Sequence, residues 1–273
     1  MPIVKKQTNH KTTKKHGSSV VDRIGPVSLA NSDMKINIYG RSGTGKTTLA
    51  CTFPKPLLLI GAEDGTRSVH NVNGVDFVPI TTSGELTELT EYVIQSDKYK
   101  TVVLDTASSL QDMILKEIMG IDELPAQKSW GMASRDQYGQ CSLQTKERLR
   151  ALLNLKDCNV VILAQEREFN TESDGSLLMP YTGSALTPSV TGWLNPACDY
   201  ICQTFIRQRT ELRTIKIGKK VSKKEQTIKG VDFCLRVAPD PVFMTKFRLP
   251  KGTELPEFLI DPNYEAIDKL IWQ

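Results

Sequence analysis

One short stretch limits what this chain can fold into more than any other part of the sequence. It matches the pattern G-x-x-x-x-G-K-[ST] at every fixed position. Residues 35–39 before it alternate like a strand, and residues 46–50 after it open a helix. Glycines here allow backbone N–H groups to point inward at a helix N-terminus, which favours anions. The predicted phosphate-binding loop consists of Gly40, Arg41, Ser42, Gly43, Thr44, Gly45, Lys46 and Thr47, with Thr48 beside it.

The chemistry expected of this loop is the binding of ATP with Mg²⁺. Lys46 is predicted to reach the β- and γ-phosphates, and the Thr47 hydroxyl to bind Mg²⁺. A glycine-rich turn that matches by chance is the alternative, but the order of strand, loop and helix favours the phosphate-binding interpretation. Hydrolysis needs more than binding, namely a second metal-binding carboxylate, a group that orients water and positive charge at the transition state.

A carboxylate at the end of a buried strand is the candidate for the second metal ligand. Asp105 follows the apolar run 102–104, which is the Walker-B arrangement. A buried strand brings such a carboxylate to the edge of the sheet beside the phosphate loop, where it can hold Mg²⁺. The alternative is that Asp105 caps the helix that follows. With the phosphate-binding loop upstream, the metal role is the favoured prediction.

Two further strand ends carry groups suited to hydrolysis. Glu63 follows the apolar strand 57–60, where a carboxylate can polarise a water molecule across from the γ-phosphate. A surface turn is the alternative, and Asp64 is the second candidate for this catalytic role. Gln165 ends the apolar run 160–164, where an amide can bind the γ-phosphate and respond to hydrolysis. A polar residue at a strand end is otherwise ordinary.

Strands and helices alternate along the first 165 residues, which predicts an α/β fold with a mostly parallel central sheet and helices on both faces. Right-handed crossovers then place the phosphate site at the carboxyl ends of the strands. The predicted strands are 57–60, 75–80, 101–105 and 159–164. The predicted helices are 84–95, capped by Ser83 with Leu86, Leu89, Val93 and Ile94 facing inward, a helix through Met119, and 138–155.

The pattern changes in the remaining segments. Residues 120–140 and 166–196 lack clear periodicity and are predicted to be loops, and the length of the second indicates a functional segment. Antiparallel strands are predicted next, at 200–208, 211–217, 231–237 and 242–248, before a closing helix at 263–272. The predicted organisation is a flexible basic arm over 1–20 and one domain over 21–273, with a core at about 34–210 and a β-rich extension at about 211–273.

Composition argues against several classes of protein. The 273 residues are 39% hydrophobic and 24% charged, which is ordinary for a soluble globular chain. The longest apolar runs are too short to span a bilayer, and no signal peptide is visible, so a cytoplasmic protein without a membrane partner is expected. The six cysteines are scattered, without a second close pair or a histidine cluster, which argues against a zinc site.

The net charge of +4 is unevenly distributed. Residues 5–15 carry five lysines and no acid, and a second basic cluster at 213–229 is opposed only by Glu225. The second cluster consists of Arg213, Lys216, Lys219, Lys220, Lys223, Lys224 and Lys229. Such runs are usually solvated faces or tails. Two of them on a nucleotide-binding chain favour a nucleic-acid backbone as a partner.

Four segments together resemble the RecA-like ATPases, namely residues 38–48, 62–64, 103–106 and 163–165. The likeness is closest to compact phage RecA-like proteins described as ATP-binding or single-strand annealing proteins, and it covers roughly residues 34–250. It implies an oligomer, as a ring or filament, that hydrolyses ATP on single-stranded DNA in phage-type recombination or annealing. A single-strand-binding protein is a further candidate partner. The chain shows no obvious separate DNA-binding domain, which argues against strand exchange.

The resemblance also implies roles for individual residues. Glu63 corresponds to the water-activating carboxylate, Asp105 to the Walker-B acid, and Gln165 to a switch at the root of the second DNA-binding loop. That loop corresponds to residues 166–190, and the first DNA-binding loop to 120–137.

Contacts to neighbouring molecules are implied as well. Lys246, with Arg248 as a second candidate, is implied to reach the γ-phosphate of a neighbouring subunit, although an exposed charge at a strand edge is the alternative. The lysines predicted to hold DNA phosphates without reading the sequence are Lys216, Lys219, Lys220, Lys223 and Lys224. The candidates for contacts to single-stranded bases are Arg135, Trp130, Phe169, Tyr181 and Trp193, although any one aromatic residue is more often part of a core.

Two other functions compete with this interpretation. A P-loop kinase of nucleotide metabolism would need an arginine-rich lid over the acceptor, and the sequence shows no compact cluster of that kind. A nonenzymatic, nucleotide-gated protein that modulates host DNA-repair enzymes is the other alternative. ATP turnover separates this alternative from the ATPase interpretation.

Overall fold

The computed structural model describes residues 33–63, 72–124, 133–169, 172–173, 176–177, 180–217, 220–249 and 252–272, without the side chains of 172–177 and 211–228. All of these residues belong to one unit, Asp33–Gln273. The predicted arm at 1–20, Asp64, Trp130 and Lys219 therefore lie outside the described residues.

The described residues form strands and helices in the following order: β1 (Lys35–Gly40), α1 (Lys46–Ala50), β2 (Leu57–Gly61), β3 (Val75–Pro79), α2 (Ser83–Ser96), β4 (Thr101–Asp105), α3 (Ala107–Met119), α4 (Arg135–Leu153), β5 (Asn159–Phe169), β6 (Glu172–Ser173), β7 (Ser176–Leu177), β8 (Tyr181–Ser184), α5 (Pro188–Ala197), β9 (Tyr200–Ile217), β10 (Lys220–Arg236), β11 (Lys246–Phe247), β12 (Phe258–Ile260) and α6 (Tyr264–Ile271).

The central sheet has the strand order β12-β10-β9-β1-β5-β4-β2-β3. Neighbouring strands from β9 through β3 run parallel, whereas β10 pairs antiparallel with both β9 and β12. Two short strands attach at the sides, since β11 pairs with β9 and β8 pairs with the extended end of β5. This sheet confirms the predicted α/β fold class, with its mostly parallel centre and its β-rich C-terminal part.

Alternate residues of the central strands supply a separate hydrophobic core on each face of the sheet. In β1, Tyr39 packs into one core, and Ile36 and Ile38 pack into the other. Helices α2 to α5 cover the first face, and α1 and α6 cover the second. Burial on both faces explains why these strands are continuous apolar runs in the sequence. None of the described helices combines the length and the apolar character needed to cross a membrane.

The parallel register brings several strand ends together at one edge of the sheet. Gly40 of β1 lies beside Gln165 of β5 and, on its other side, beside Thr204 of β9. Gly61 of β2 lies beside Asp105 of β4. Ligands of open α/β sheets bind outside the carboxyl ends of the strands. This edge is therefore where a site is expected, and it holds the residues that the sequence analysis singled out.

The predicted helix at 84–95 is confirmed as α2, with a different start and one different side chain. Thr82 is the N-cap, because its hydroxyl accepts a hydrogen bond from the Glu85 N–H and the Glu85 side chain accepts one from the Thr82 N–H. Ser83, the predicted cap, is the first helical residue. Ile94 was predicted to face inward, but it is 65% exposed.

Helix α4 begins three residues earlier than the Tyr138 start predicted from the sequence. Ser134 and Gln137 form a second capping box, which fixes Arg135 as the first helical residue. Polar capping groups carry no hydrophobic periodicity, so a search for apolar spacing misses this turn. Helix α4 therefore occupies the last part of the loop predicted at 120–140. Residues 125–132 of that predicted loop lie outside the described residues.

The prediction of a continuous loop at 166–196 is wrong. Strand β5 continues past Gln165 to Phe169 and pairs antiparallel with β8, and α5 follows. The buried residues of β8 are Thr182, Gly183 and Ser184, which explains why no apolar pattern reveals the strand. The Asn37 side-chain amide donates to the Ser184 hydroxyl at 2.8 Å, so a buried polar contact helps to hold the strand.

The C-terminal strands also differ from the prediction. The segments predicted at 200–208 and 211–217 are one continuous strand, β9. The predicted boundary between the core and the β-rich extension, at about residue 210, therefore lies inside a strand of the main sheet. Strand β10 begins at Lys220, eleven residues before the predicted start at Val231, and a register shift occurs between Thr227 and Val231. The predicted strand at 242–248 is reduced to the two residues of β11. The closing helix is confirmed as α6, with Asn263 as its cap.

Candidate nucleotide-binding and active site

The loop between β1 and α1 has the backbone that its glycines predict. Gly43 and Gly45 have φ angles of 80° and 85°, in the left-handed region that glycine adopts without strain. At Gly40, glycine is required because a side chain would have no space. A Cβ atom there would lie 2.2 Å from the Thr204 Oγ1 and 2.5 Å from the Thr204 carbonyl oxygen. Strand β9 therefore passes so close to the loop that only glycine fits.

Strand β9 also holds the loop through a pair of hydroxyl groups. Thr44 Oγ1 lies 2.7 Å from Thr204 Oγ1 and donates to the Arg41 carbonyl at 2.7 Å. Thr204 Oγ1 also lies 3.3 Å from the Tyr39 carbonyl oxygen. Sequence reasoning missed Thr204, because 160 positions separate it from Thr44 and no motif marks it.

Lys46 directs its ammonium group into the loop. The Nζ atom donates to the carbonyls of Gly40 and Arg41 at 2.8 and 2.9 Å, and to Gln165 Oε1 at 3.3 Å. Burial lowers the pKa of Lys46, and the negative charges of Asp105 and then Glu63 oppose that shift. A buried cation that is satisfied mainly by carbonyl dipoles is well suited to an incoming phosphate anion.

Thr47 and Asp105 meet as the sequence predicts for a metal site. The Thr47 hydroxyl donates to Asp105 Oδ2 at 2.7 Å, although the two residues lie on different elements. Burial raises the pKa of Asp105, the Thr47 bond opposes this, and the nearby charge of Glu63 adds to it. Hydroxyl and carboxylate oxygens are the ligands that Mg²⁺ prefers, and a cation would compensate the buried charge. These two residues fit Mg²⁺.

Glu63 is held in place by three hydrogen bonds to one oxygen. Its Oε1 accepts from the hydroxyls of Thr106, at 2.7 Å, and Ser109, and from Gln165 Nε2 at 3.4 Å. Burial alone would raise the pKa of Glu63, but the bonds from Ser109, Thr106 and Gln165, with the charge of Lys46, lower it below its ordinary value. Glu63 is therefore an ionised and oriented carboxylate.

Thr106 and Ser109 are functional residues that sequence reasoning did not assign. Thr106 is the N-cap of α3, and its Oγ1 accepts a hydrogen bond from the Ser109 N–H at 3.2 Å. The spacing of a cap and a hydroxyl residue three positions later was visible in the sequence. Nothing in that spacing showed that both side chains would turn toward Glu63, which lies on the neighbouring strand end.

Gln165 links the two halves of the site. Its side chain contacts Lys46 through Oε1 and Glu63 through Nε2. Its backbone N–H donates to the Ser108 hydroxyl at 3.0 Å, and its carbonyl accepts from the Ala185 N–H at 2.7 Å. The side chain that touches both the loop lysine and the carboxylate is thus anchored to α3 and to the segment before α5.

A cavity of about 300 Å³ joins these groups. It is lined by Ser42, Gly43, Gly45, Lys46, Thr47, Thr48, Glu63, Asp105, Gln165 and Phe233. All but one of these residues were predicted site residues. The exception is Phe233 of β10, which no sequence motif indicated.

Lys246 contacts its own chain. Its Nζ donates to the carbonyls of Asn195, Pro196 and Cys198 at 2.9, 3.2 and 2.6 Å, which places the charge at the C-terminal end of α5. Arg248 forms an ion pair with Asp199 at 2.6 Å. A contact of either residue with a neighbouring subunit stays a prediction.

The candidate DNA-contact residues lie on different elements and differ in their contacts. Arg135 is exposed in the first turn of α4. Phe169 and Tyr181 stack on each other at 5.0 Å, so these two rings form a pair across the β5–β8 hairpin instead of two separate platforms. Trp193 lies 5.3 Å from the Arg150 guanidinium. The cluster lysines Lys216, Lys220, Lys223 and Lys224 lie on the β9–β10 hairpin, and their side chains are outside the description.

The first strand of the mostly parallel sheet leads through a glycine loop into a helix. A lysine, a threonine–aspartate pair and a fixed glutamate lie at one cavity beside this loop. These features define a P-loop nucleoside triphosphatase. The family model described as an AAA domain matches residues 32–249. The chain belongs to this family and is a nucleotide-binding ATPase. Comparison with curated proteins gives no match.

Proposed function

We propose that the protein is a RecA-like ATPase that hydrolyses ATP when it is bound to single-stranded DNA, and that it acts as an oligomer in phage-type recombination or annealing. One observation carries the hydrolytic part of this proposal. Glu63, just after strand β2, is held by Thr106 and Ser109 beside Lys46 of α1 and Asp105 of β4. A site that only binds nucleotide does not require an ionised carboxylate fixed in this place.

The proposed reaction uses the groups of the cavity as follows. Glu63 accepts a proton from a water molecule whose oxygen forms a bond to the γ-phosphorus, while the bond from that phosphorus to the β–γ bridging oxygen breaks. Lys46 stabilises the charge on the phosphate oxygens, and Gln165 responds to the γ-phosphate while it contacts both residues. Thr47 and Asp105 would hold Mg²⁺, which would supply positive charge to offset the negative charge of the phosphates.

The origin of the carboxylate supports the RecA-like assignment. The residue after the Walker-B aspartate is Thr106, and the carboxylate comes instead from the end of the adjacent strand β2. This is the arrangement that the sequence resemblance implies for Glu63 and Asp105. Gln165 of β5, which is paired with Gly40 at the end of β1, agrees with the same resemblance.

The DNA part of the proposal is supported by the β9–β10 hairpin. Strand β9 pairs with β1 only from Tyr200 to Thr204, yet it continues to Ile217. The hairpin therefore extends well beyond the parallel part of the sheet, and the basic cluster occupies its end. A basic β-ribbon can hold nucleic-acid phosphates without reading bases. The charge pattern of the sequence and this extension together favour the hairpin as the DNA contact.

The experiment that tests the proposal is steady-state ATP hydrolysis with and without single-stranded DNA, at fixed moderate salt. We expect DNA to stimulate the wild-type protein. Glu63→Gln is expected to lose about 10²- to 10⁴-fold in kcat with ATP binding retained, because the base is lost. Lys46→Ala is expected to lose both binding and turnover. Glu91→Gln, which changes an exposed carboxylate of α2 outside every proposed contact, is the matched control and should retain activity.

Four outcomes would contradict parts of the proposal. Turnover in Glu63→Gln within a few-fold of the wild type would exclude Glu63 as the base. Turnover that DNA does not change, with no DNA binding at low salt, would exclude the recombination role. ATP binding without any turnover would favour a nucleotide-gated partner protein. Light scattering with ATP and DNA tests the oligomer, and a monomer under all conditions would contradict it.

A further inference from the structure

Among the described residues, Phe233 is the one aromatic residue that lines the candidate nucleotide cavity. The other lining residues are glycines, hydroxyl residues, a lysine, two carboxylates and an amide, all of which suit phosphate, metal or water. An aromatic ring is not suited to binding phosphate, metal or water. The cavity therefore contains one surface whose chemistry differs from that of the triphosphate site.

The backbone of β10 turns this ring toward the phosphate loop. Asp232 and Cys234, on either side of Phe233, are buried, whereas Phe233 is 40% exposed. A Cβ atom on Gly45 would lie 3.5 Å from Phe233 Cδ1, so the ring is in van der Waals range of the loop residue that precedes Lys46. Side chains alternate between the faces of a strand, so the position of Phe233 follows from the register of β10.

The ring has no aromatic partner among the described residues, although other phenylalanines of the chain do. Phe53, Phe169, Phe205 and Phe247 each pair with a second ring at 4.9 to 5.6 Å. A half-exposed, unpaired ring at the mouth of a polar cavity leaves a π-face open to a ligand. Planar heterocyclic bases stack on such faces, and they do so with little dependence on base identity.

We infer that Phe233 is the contact surface for the nucleoside part of the bound nucleotide, whose triphosphate occupies the glycine loop. This inference rests on the proposed function only in that the cavity binds ATP. Stacking would make Phe233 a binding residue for the base, while Lys46, Thr47 and Asp105 bind the phosphates and the metal. Because no base edge is read by a ring, ATP and GTP should depend on Phe233 to a similar degree.

The test compares a triphosphate ligand that carries a nucleoside with one that does not. Binding of a non-hydrolysable ATP analogue and of inorganic triphosphate, each with Mg²⁺, is measured by titration calorimetry for the wild type and for Phe233→Ala. We expect the variant to bind the analogue about 5- to 100-fold more weakly. Its affinity for inorganic triphosphate should stay within about twofold of the wild type, which also shows that the loop is folded.

Two further variants sharpen the comparison. Phe233→Tyr retains the ring and should bind the analogue like the wild type, whereas Phe233→Leu retains apolar bulk without a π-face and should resemble Phe233→Ala. Val231→Ala is the matched control, since Val231 lies two positions earlier on β10, is 45% exposed and does not line the cavity. It should leave both affinities unchanged.

The possible failures are distinguishable. Equal weakening of the analogue and of triphosphate in Phe233→Ala would show that the ring supports the loop, and would overturn the inference. Unchanged affinity for the analogue would overturn it as well. If the wild type binds neither ligand, the nucleotide site itself is refuted, which is a failure of the proposed function rather than of the role of Phe233 alone.

Discussion

At the scale of single residues, Asp105 and Glu63 are two carboxylates in one cavity whose surroundings shift their pKa values in opposite directions. Burial raises the pKa of Asp105. Burial also acts to raise the pKa of Glu63, but hydrogen bonds from Ser109, Thr106 and Gln165 outweigh it and the pKa is lowered. Such a divergence separates roles at a catalytic site. Asp105 is suited to a cation and Glu63 to accepting a proton.

Asp105→Asn is expected to lower the hydrolytic activity without lowering the stability of the fold. Because folding raises the pKa of Asp105, the charge costs stability in the metal-free protein above the pKa of an unfolded aspartate. This destabilisation is absent below the pKa of aspartate in the unfolded chain. It increases as the pH rises from that pKa to the raised pKa of Asp105 in the folded protein. The variant should therefore melt no lower than the wild type at pH 7 without Mg²⁺, yet lose about 100-fold or more in Mg²⁺-dependent hydrolysis.

Thermal melts at several pH values, without metal, check this prediction. Asp76→Asn is the control of opposite sign, because hydrogen bonds from Lys98 and Tyr99 lower the pKa of Asp76. Its contribution to stability is present above the pKa of an unfolded aspartate and is lost as the pH falls through the folded value. A fall in the melting temperature of Asp105→Asn at pH 7 would contradict the assigned cost of burying that charge.

At the scale of elements, the end of α5 shows how a residue on a distant strand completes a helix. The last carbonyls of a helix lack partners within it and carry partial negative charge. Lys246 of β11 donates to the Asn195, Pro196 and Cys198 carbonyls there. These carbonyls lie in the last turn and at the C-cap of α5, so the ammonium group of Lys246 satisfies the helix end.

Lys246→Met should lower the free energy of unfolding by about 1–2 kcal/mol, because carbonyls at a helix end lose a charged donor. For a chain of this size the melting temperature should fall by roughly 2–8 °C. Lys246→Arg keeps the charge at this position and should restore most of the loss. A normal melting temperature in Lys246→Met, combined with loss of DNA-stimulated hydrolysis, would instead favour the role across a subunit interface.

At the scale of the whole molecule, the sheet has a parallel part that builds the site and an antiparallel hairpin that extends from it. Buried residues such as Ile201 and Cys202 on β9 and Leu235 on β10 belong to the main cores. The distal part of the hairpin pairs only with itself in the described register. The two parts should therefore be separable in stability and in function.

A shortened hairpin tests this separation. Thr210 and Thr227 are paired across β9 and β10, so replacing residues 211–226 by Asn-Gly joins two antiparallel partners with a favoured two-residue turn. We expect the variant to fold and to bind ATP like the wild type, but to bind single-stranded DNA weakly. Each lost phosphate contact should reduce the slope of log K against log salt by about 0.7.

DNA affinity over a series of salt concentrations, with ATP binding as the reference, measures this effect. Unchanged affinity and an unchanged slope would show that the hairpin end does not bind DNA, and attention would pass to the basic segment at residues 5–15. A variant that binds neither ATP nor DNA would show that the hairpin end is required for the fold, against the separation argued above.

The sequence by itself determined the site where the chemistry is carried by local order. The aspartate that ends β4 and the glutamate after β2 both follow short apolar runs, which are typical of strands buried on both faces, and the phosphate loop follows an alternating strand. Parallel strands end at one edge, so the meeting of Lys46, Glu63, Asp105 and Gln165 followed from the alternation of strands and helices.

Only the tertiary structure decided what packs against that site. Thr204 and Phe233 reach the loop from β9 and β10, more than 150 positions along the chain, and the register of those strands selects them. The same holds for β8, whose buried positions are polar, and for the single long strand β9. Local sequence carries propensity and hydrophobic period, whereas register and pairing depend on residues that are distant in the chain, and that is where sequence reasoning stopped.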